Sequence, residues 1–514
     1  MTRIRDIALI VGMEVHVELS TRTKMFSGAP NPAAPGSDHP DPNSLLDPVV
    51  LGLPGALPTL NARAVEMAVR VGLALGCSAA GRTKWDRKSY FYPDMPKNYQ
   101  ISQYDLPVCF DGSVDVPRGP ETDETFRVGI IRAHLEEDAG KLLHELPGGG
   151  PASRIDHSIV DLNRAGTPLL EIVTAPDMTS ADEAVAFAVM LRNLCRSLGV
   201  TEGVMQQGHM RFEPNINCIL TLDDGRKVRT PIVEIKNLNS FRSVRAAIEF
   251  ERREQPRRWE EDGREMGPGA KSTRGWDDEK MLSFLQREKE DAHDYRYFPE
   301  PDLLPVDLDP AWVAGLKAGL PEAPHRRERR YRAELGLGAK EAAALVEEPA
   351  TCAYFEECLS HIAAASPTDR EAAGRIAANL VLQTGFRLAN ERTTTVERLG
   401  VRPERVAAIA MLRHAGSIPA SGADRLFVEL TGTDEEPGVL AERLGVMIVR
   451  DDAAMEQWVR EAIDDPANAG AVADLQAGKQ QAIGRIVGAV MKRSGGKADA
   501  AAAREMILRA VNAS

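Results

Sequence analysis

The sequence lacks the cysteine pairs that build small metal sites and redox centres. Its six cysteines, Cys77, Cys109, Cys195, Cys218, Cys352 and Cys358, are scattered with no Cys-x-x-Cys spacing, which excludes a zinc ribbon or a dithiol centre and leaves reduced, buried thiols as the reading. It also lacks any apolar run near the roughly 18 residues of a membrane span. Met1 to Asp6 lead straight into a strand-like pattern with no signal-peptide core, so a soluble cytoplasmic chain with no membrane partner is expected. Positive charge is in deficit: 63 Lys and Arg stand against 76 Asp and Glu, a net charge of −13. That balance excludes a general nucleic-acid coat, and any nucleic-acid contact must rest on a segment whose own charge departs from the average. Absent as well are the Gly-x-x-x-x-Gly-Lys-Ser/Thr loop and the protein-kinase motifs, so a bound nucleotide would lie on a sheet rather than at a helix N-terminus.

What is present divides the chain. With 514 residues, it exceeds one core and suggests roughly three units. Up to about residue 300, apolar/polar alternation and Pro/Gly turns predict an α+β unit, antiparallel sheet with helices packed on one side. The prolines of Glu300-Pro-Asp-Leu-Leu-Pro305 mark a junction. Beyond it, Arg326 to Leu335, Ala339 to Glu347 and Glu371 to Leu388 have helical periodicity and helix-favouring composition. Thr431 to Gly438 breaks the pattern again, giving expected units of 1–300, 301–437 and 438–514. The polar stretch Glu260 to Gly275 reads as a flexible loop within the first.

The chemistry concentrates on alternating segments. In Ile10 to Ser20, Met13, Val15, Val17 and Leu19 fall on one face of a strand and Glu14, His16 and Glu18 on the other. A solvated edge strand would show the same alternation, but it recurs: His209, Arg211, Glu213, Asn215 and Asn217 share one face of Gly208 to Leu220. Arg, Glu, Asn and His in one file are groups that grip ions and phosphates. Arg132, His134 and Glu136 share a face of a third strand, closed by Glu137 and Asp138; adjacent acids either stay in water or gather around a cation. Glu171, within apolar Pro168 to Val173, needs a partner, either a divalent cation or an arginine such as Arg164. Oxygen ligands with one or two His and no Cys point to Mg²⁺. Together with Arg87, Lys88, Arg211 and Lys236, that is equipment for phosphoryl transfer from ATP.

Several long strings carry a family resemblance: Gly12-Met-Glu-Val-His-Val-Glu-Leu19, Arg87-Lys-Ser-Tyr-Phe-Tyr-Pro-Asp94, Gln100-Ile-Ser-Gln103, His134-Leu-Glu-Glu-Asp-Ala-Gly-Lys141, Val160 to Val173, Glu234-Ile-Lys-Asn-Leu-Asn-Ser240 and Asp294 to Asp302. In order and spread over the first 300 residues, they resemble the catalytic domain of the GatB family, the B subunits of aspartyl/glutamyl-tRNA(Asn/Gln) amidotransferases. The helical remainder is similar to that family's C-terminal portion, most clearly in Gly478 to Lys492 and Gly495-Gly-Lys-Ala498.

The resemblance implies a cradle-shaped catalytic domain similar to glutamine synthetase and guanidino-kinase folds, a helical domain and a small tRNA-binding tail. It implies ATP-dependent phosphorylation of the side-chain carboxylate of Glu-tRNA(Gln) or Asp-tRNA(Asn). Ammonia then reaches the site through a tunnel from an amidase-type glutaminase partner, and a small third protein, the C-subunit, completes a heterotrimer. Carried over by position, the metal-binding residues are Glu14, His16, Glu136, Glu137 and Glu171, with a further acidic position at Glu213. There the chain departs from the common family string, which has two Glu before the Gly and Cys-Asp-Ala-Asn after the Arg. This chain has Gln206-Gln-Gly-His-Met-Arg-Phe-Glu-Pro-Asn215.

The tail departs from the acidic average. Lys479, Arg485, Lys492, Arg493, Lys497, Arg504 and Arg509 stand against Asp499 and Glu505, and Lys479, Lys492, Arg493 and Lys497 are the expected tRNA contacts. No Ser-Ser-Lys amidase constellation or assigned cysteine nucleophile is present, so the chain is not expected to release ammonia from glutamine by itself. Two other readings are a non-catalytic tRNA-binding scaffold and a stand-alone amide ligase for a small amino acid.

Overall fold

A computed structural model describes residues 3–37, 40–119, 122–145, 154–288, 295–448, 452–477, 479–496 and 498–512. The chain forms two compact units, Met1–Arg326 and Arg327–Ser514. The first is built on a ten-stranded sheet: β1 (Ile4–Glu18), β2 (Ser78–Ala79), β3 (Cys109–Pro117), β4 (Thr125–Glu137), β5 (Pro168–Thr174), β6 (Met210–Leu222), β7 (Lys227–Arg229), β8 (Val233–Lys236), β9 (Ser272–Asp277) and β10 (Leu282–Glu288). The order is β10-β9-β8-β6-β1-β5-β4-β3-β2, with β7 paired to β6. All neighbours are antiparallel except β8 and β9.

Alternation decides what each sheet face does. Met13, Val15, Val17, Leu135, Leu170, Ile172, Phe212 and Ile216 are buried on one face, which is covered by helices α1 (Ala62–Ala74), α2 (Ala181–Ser197) and α3 (Phe241–Asp262) in a single apolar cluster. The other face carries the polar file. Each helix begins where a side chain can accept from otherwise unpaired N–H groups: Asn61 caps α1, Ser180 caps α2 and Ser240 caps α3. Where α1 crosses β3, Gly72 is required. A Cβ there would stand 2.4 Å from Sγ of Cys109.

The expected flexible loop at Glu260 to Gly275 is shorter in the structure. Helix α3 continues to Asp262, where Gly263 takes a left-handed φ of +67° and stops it, and β9 begins at Ser272. Trp276 of β9 packs edge-on against Phe250 of α3, with ring centroids 5.8 Å apart, and that apolar contact holds the segment's end in place. A small sheet of Asp86–Ser89, Tyr99–Ser102 and Phe298–Pro299 stands beside the end of β4. Helix Pro310–Ala318 packs Val313 and Leu316 onto the first unit's core.

The second unit is helical and holds two apolar clusters, one drawn from Tyr331 to Ala441 and one from Met455 to Val511. Helix Arg370–Asn379 passes through a π-turn at Leu380–Gly385 before continuing as Phe386–Glu391. None of the described helices is long and apolar enough to cross a membrane.

Candidate active site

Strand register assembles the site. His16 of β1 lies opposite Glu171 of β5 on one side and Arg211 of β6 on the other. Glu171 in turn faces His134 of β4, Glu14 faces Glu213, and Asn215 faces Glu234 of β8. Opposed residues of antiparallel strands project to the same face, so five strands contribute to one band of acids and imidazoles.

The band holds two groups of potential ligand atoms, each within 4.8 Å of one another: His16, Glu136 and Glu171, and Glu14, Glu213 and Glu234. In the first, Nε2 of His16 is 3.5 Å from Glu171 and 3.7 Å from Glu136, while Nε2 of His134 is 3.4 Å from Glu171. In the second, Lys236 Nζ lies 2.5 Å from Glu213 and 3.0 Å from Glu234, and Lys271 lies 3.5 Å from Glu234 and 3.9 Å from Glu14. Asn215 donates to Glu14 at 2.9 Å.

The charges perturb one another strongly. Burial alone would depress the His16 imidazole, yet its hydrogen bond to Glu171 and the charges of Glu213, Glu171 and Glu136 push it up to about 9. Burial would likewise raise Glu171, but His134 and His16 hold its carboxyl well below the usual range. Lys88, whose ammonium sits 4.9 Å from the Tyr295 ring centroid, is disfavoured by burial and nonetheless raised by Glu136, Tyr297 and Glu171. A proton on His16 thus serves as a counter-ion to surplus carboxylate. The donor set of carboxylate oxygens and imidazole suits a hard divalent cation, and Nδ1 of both His16 and His134 is buried with no hydrogen-bond partner among the described residues.

The residues expected from sequence do not all converge. His16, Glu136 and Glu171 meet, and Glu14 and Glu213 meet beside them. Glu137 does not join them: it opposes Pro168 on the other side of β4, where it pairs with Lys97 and accepts from the Ile101 N–H. Among the basic residues, Lys88 and Lys236 face the band. Arg87 points the other way, held by Glu300 at 2.6 Å and Asp302 at 3.2 Å and lying over the Tyr99 ring. Arg211 lies in the band but pairs with Glu18 at 3.1 Å and with Asp138. The suggested Arg164 partner for Glu171 is overturned. Arg164 donates to the carbonyls of Ala139 and Gly140 and lies 3.4 Å from Asp138, and imidazoles take its place at Glu171. Sequence reasoning missed Glu234, although it shares a strand face with Lys236, two residues on. It also missed Lys271, for which no periodic signal exists.

In the tail, Lys479 pairs with Asp474 at 2.8 Å and Arg493 pairs with Asp465; Lys492 lies in the last turn of helix Ile483–Arg493. Lys497 lies outside the described residues.

The fold and the band together define a class: an α+β protein that presents acids, imidazoles and ammonium groups from an antiparallel sheet backed by helices, followed by a helical unit. Family models narrow it. The GatB/GatE catalytic domain matches residues 9–314, and the GatB domain matches residues 355–511. The chain belongs to the GatB/GatE family. It is 41% identical over 490 residues to the B-subunit of the aspartyl/glutamyl-tRNA(Asn/Gln) amidotransferase of Rhodopirellula baltica, covering 95% of this chain and 94% of that one. It is also 41% identical over 502 residues to the protein of the same name from Geobacter sulfurreducens, covering 97% and 98%.

Proposed function

We propose that this chain is the ATP- and Mg²⁺-dependent component of a cytoplasmic tRNA-dependent amidotransferase. In this reading the γ-phosphoryl group of ATP passes to a side-chain carboxylate oxygen of Glu-tRNA(Gln) or Asp-tRNA(Asn), leaving ADP. Ammonia then attacks the acyl carbon and orthophosphate departs. The ammonia comes from an amidase-type glutaminase partner, with the small C-subunit completing the complex. The observation that carries the reading is the pair of acid groups on one sheet face, with Lys88 and Lys236 beside them; the names of the family relatives supply the substrate class.

His16, Glu136 and Glu171 would hold one cation, and Glu14, Glu213 and Glu234 a second. Mg²⁺ supplies neutralisation of the triphosphate's charge when bound there. Lys88 and Lys236 steady the anionic oxygens of the phosphoryl group and the acyl phosphate, since fixed cations in a water-poor site need no reorganisation as charge shifts. Arg211, opposite His16 in the strand register, is anchored by Glu18 and Asp138. Both Arg87 and Glu137 are engaged elsewhere: Glu137 ties β4 to the small sheet through Lys97 and the Ile101 N–H, and Arg87 holds Glu300 and Asp302 beside that sheet.

The tail is read as the tRNA contact through Lys479, Lys492, Arg493 and Lys497. In helix Ile483–Arg493, Ile483, Ile486 and Val490 are buried, while a Cβ added at Gly484 or Gly488 would meet nothing within 4 Å. Glycines that weaken a helix by about 1 kcal/mol with no packing need keep its outer backbone open to close approach by phosphates.

The test is to combine the chain with its partner proteins, ATP, Mg²⁺, glutamine and each misacylated tRNA separately, reading orthophosphate and the amide. Glu136→Ala should abolish tRNA-stimulated ATP hydrolysis and leave tRNA affinity nearly intact. ATP hydrolysis indifferent to tRNA, or equal loss of hydrolysis and tRNA binding in the variant, would defeat the proposal. A pure scaffold predicts tRNA affinity with no stimulated hydrolysis at all.

A further inference from the structure

The polar face of β4 does not end at His134. Arg132, two residues earlier, shares that face. It lies opposite Phe110 of β3 and opposite Val173 of β5, and Val173 in turn lies opposite Glu14. Along the strand the order is Arg132, His134, Glu136, with about 7 Å between successive members. Lys88 acts on the Glu136 end, where Ser102 of the adjoining strand has its hydroxyl 3.4 Å from Glu136. Two cations thus bracket the first acid group. Just beyond Arg132 the pairing with β5 slips by one residue, between Val173 and Thr174; a bulge of this kind re-aims side chains and is frequent beside active sites.

Arg132 differs from the other arginines near the site. Arg211 is engaged by Glu18 and Asp138, and Arg87 by Glu300 and Asp302. Arg132 has neither a hydrogen bond nor an ion pair among the described residues, although its Nε is buried and a buried donor normally has a partner. Register keeps it from the acids. Its neighbours across the sheet, Val173 and Phe110, are uncharged, and Glu14 stands two strands away, about 10 Å. Glu171, on the diagonal, is held by the imidazoles of His16 and His134. A half-buried guanidinium between apolar neighbours exerts a stronger field than one in open water. No described carboxylate depends on it, so pairing within the fold does not account for its charge.

We infer that Arg132 grips the non-transferred phosphates of ATP while the γ-phosphoryl group lies among His16, Glu136 and Glu171 beside Lys88. The inference rests on the ATP reading proposed above and adds a direction to it: the triphosphate runs along β4, its γ end toward Glu136 and its adenosine end toward Phe110. A guanidinium offers its N–H donors as a rigid fork that fits two phosphate oxygens at once, and the phosphates supply the partner that the buried Nε lacks. A backbone phosphate of tRNA has the same chemistry. The nucleotide is the better match, because Arg132, His134 and Glu136 form one line on one strand, as the phosphates of a single linear polyanion do. ADP keeps both non-transferred phosphates, so this contact persists through the reaction and contributes to ground state and transition state alike.

The test uses the full chain assembled with its partner proteins. By calorimetry in Mg²⁺, Arg132→Gln should weaken binding of ADP and of the β,γ-methylene analogue of ATP about 10-fold or more, as removal of a hydrogen bond to a charged group does. Arg132→Lys keeps the charge without the fork and should fall between wild type and Arg132→Gln. Affinity for tRNA and the Tm should stay at their wild-type values, since no described side chain loses a partner. In turnover, the KM for ATP should rise and kcat change far less. Equal ADP affinity in wild type and Arg132→Gln overturns the inference. So does a loss confined to tRNA, which assigns the guanidinium to the tRNA backbone, and so does a Tm lowered by several degrees in both variants, which makes Arg132 structural. A wild-type complex that binds no nucleotide overturns the function proposed above as well, so titration of the wild type alone tells the two failures apart.

Discussion

Replacing His16 with asparagine tests whether the acid band is short of positive charge. In the folded protein the imidazole is raised from an ordinary 6.5 to about 9, so the folded state holds this proton more tightly than the unfolded chain. The resulting stability is fully present below pH 6.5 and is lost as pH rises toward 9. At 1.36 kcal/mol per pH unit, the loss is about 3 kcal/mol. Spread over the entropy of unfolding of the first unit, it corresponds to roughly 5 °C in Tm. Other buried groups titrate in the same range: Glu18, pushed up to about 8 by burial and by Asp138, and Lys24, lowered to about 8 by burial. The quantity to read is therefore the difference between wild type and His16→Asn, both kept in chelator, by calorimetry at a series of pH values. The wild-type Tm should fall more steeply between pH 6.5 and 9. Mg²⁺ should narrow the gap in wild type, since a cation replaces the proton, and its affinity should rise with pH over the same window. Parallel curves for the two proteins, or Mg²⁺ affinity independent of pH, would refute the claim that carboxylate surplus holds the proton.

Glycine substitutions in two helices should have opposite signs. Gly72→Ala forces a Cβ to 2.4 Å from Sγ of Cys109, and overpacking of about 1–3 kcal/mol outweighs the helix preference for alanine; Gly488→Ala, with open space around it, should stabilise the helix by up to about 1 kcal/mol. Urea denaturation distinguishes them. Glu251→Leu leaves the half-buried Arg258 and Arg274 without their shared carboxylate and should cost about 2–3 kcal/mol, measurable as a lower denaturation midpoint. Ser180→Ala removes the acceptor for the Glu183 N–H at 3.1 Å and should cost about 1 kcal/mol, seen as a small drop in Tm with no change in secondary structure by circular dichroism.

Alternation within a strand was readable from residues alone. It put Glu14 and His16 on one face of β1 and Arg211 and Glu213 on one face of β6, as the structure has them. Pairing between strands was not readable, because register depends on partners far apart in sequence. For that reason Glu171 was open to an arginine partner, when residues 155 and 37 positions away supply the imidazoles of His16 and His134. Glu137 shows the limit at a strand end: the period separates it from Glu136, the resemblance groups the two, and only the structure shows Lys97 waiting on its side. The segment Glu260 to Gly275 looked structureless because its glycines and charges mask a helix end, set locally by the left-handed Gly263, and a strand start, held by the tertiary contact of Trp276 with Phe250.

The middle position of β1 has a cost during synthesis. Although it is made before either of them, its two neighbours are β5 and β6, and β6 runs to Leu222. At ribosomal speeds of about 5–20 residues per second, this apolar ribbon waits roughly 10 to 40 seconds before both flanks exist. During that interval its open edges are a hazard for aggregation, one that ends only when β6 emerges to cover the second edge.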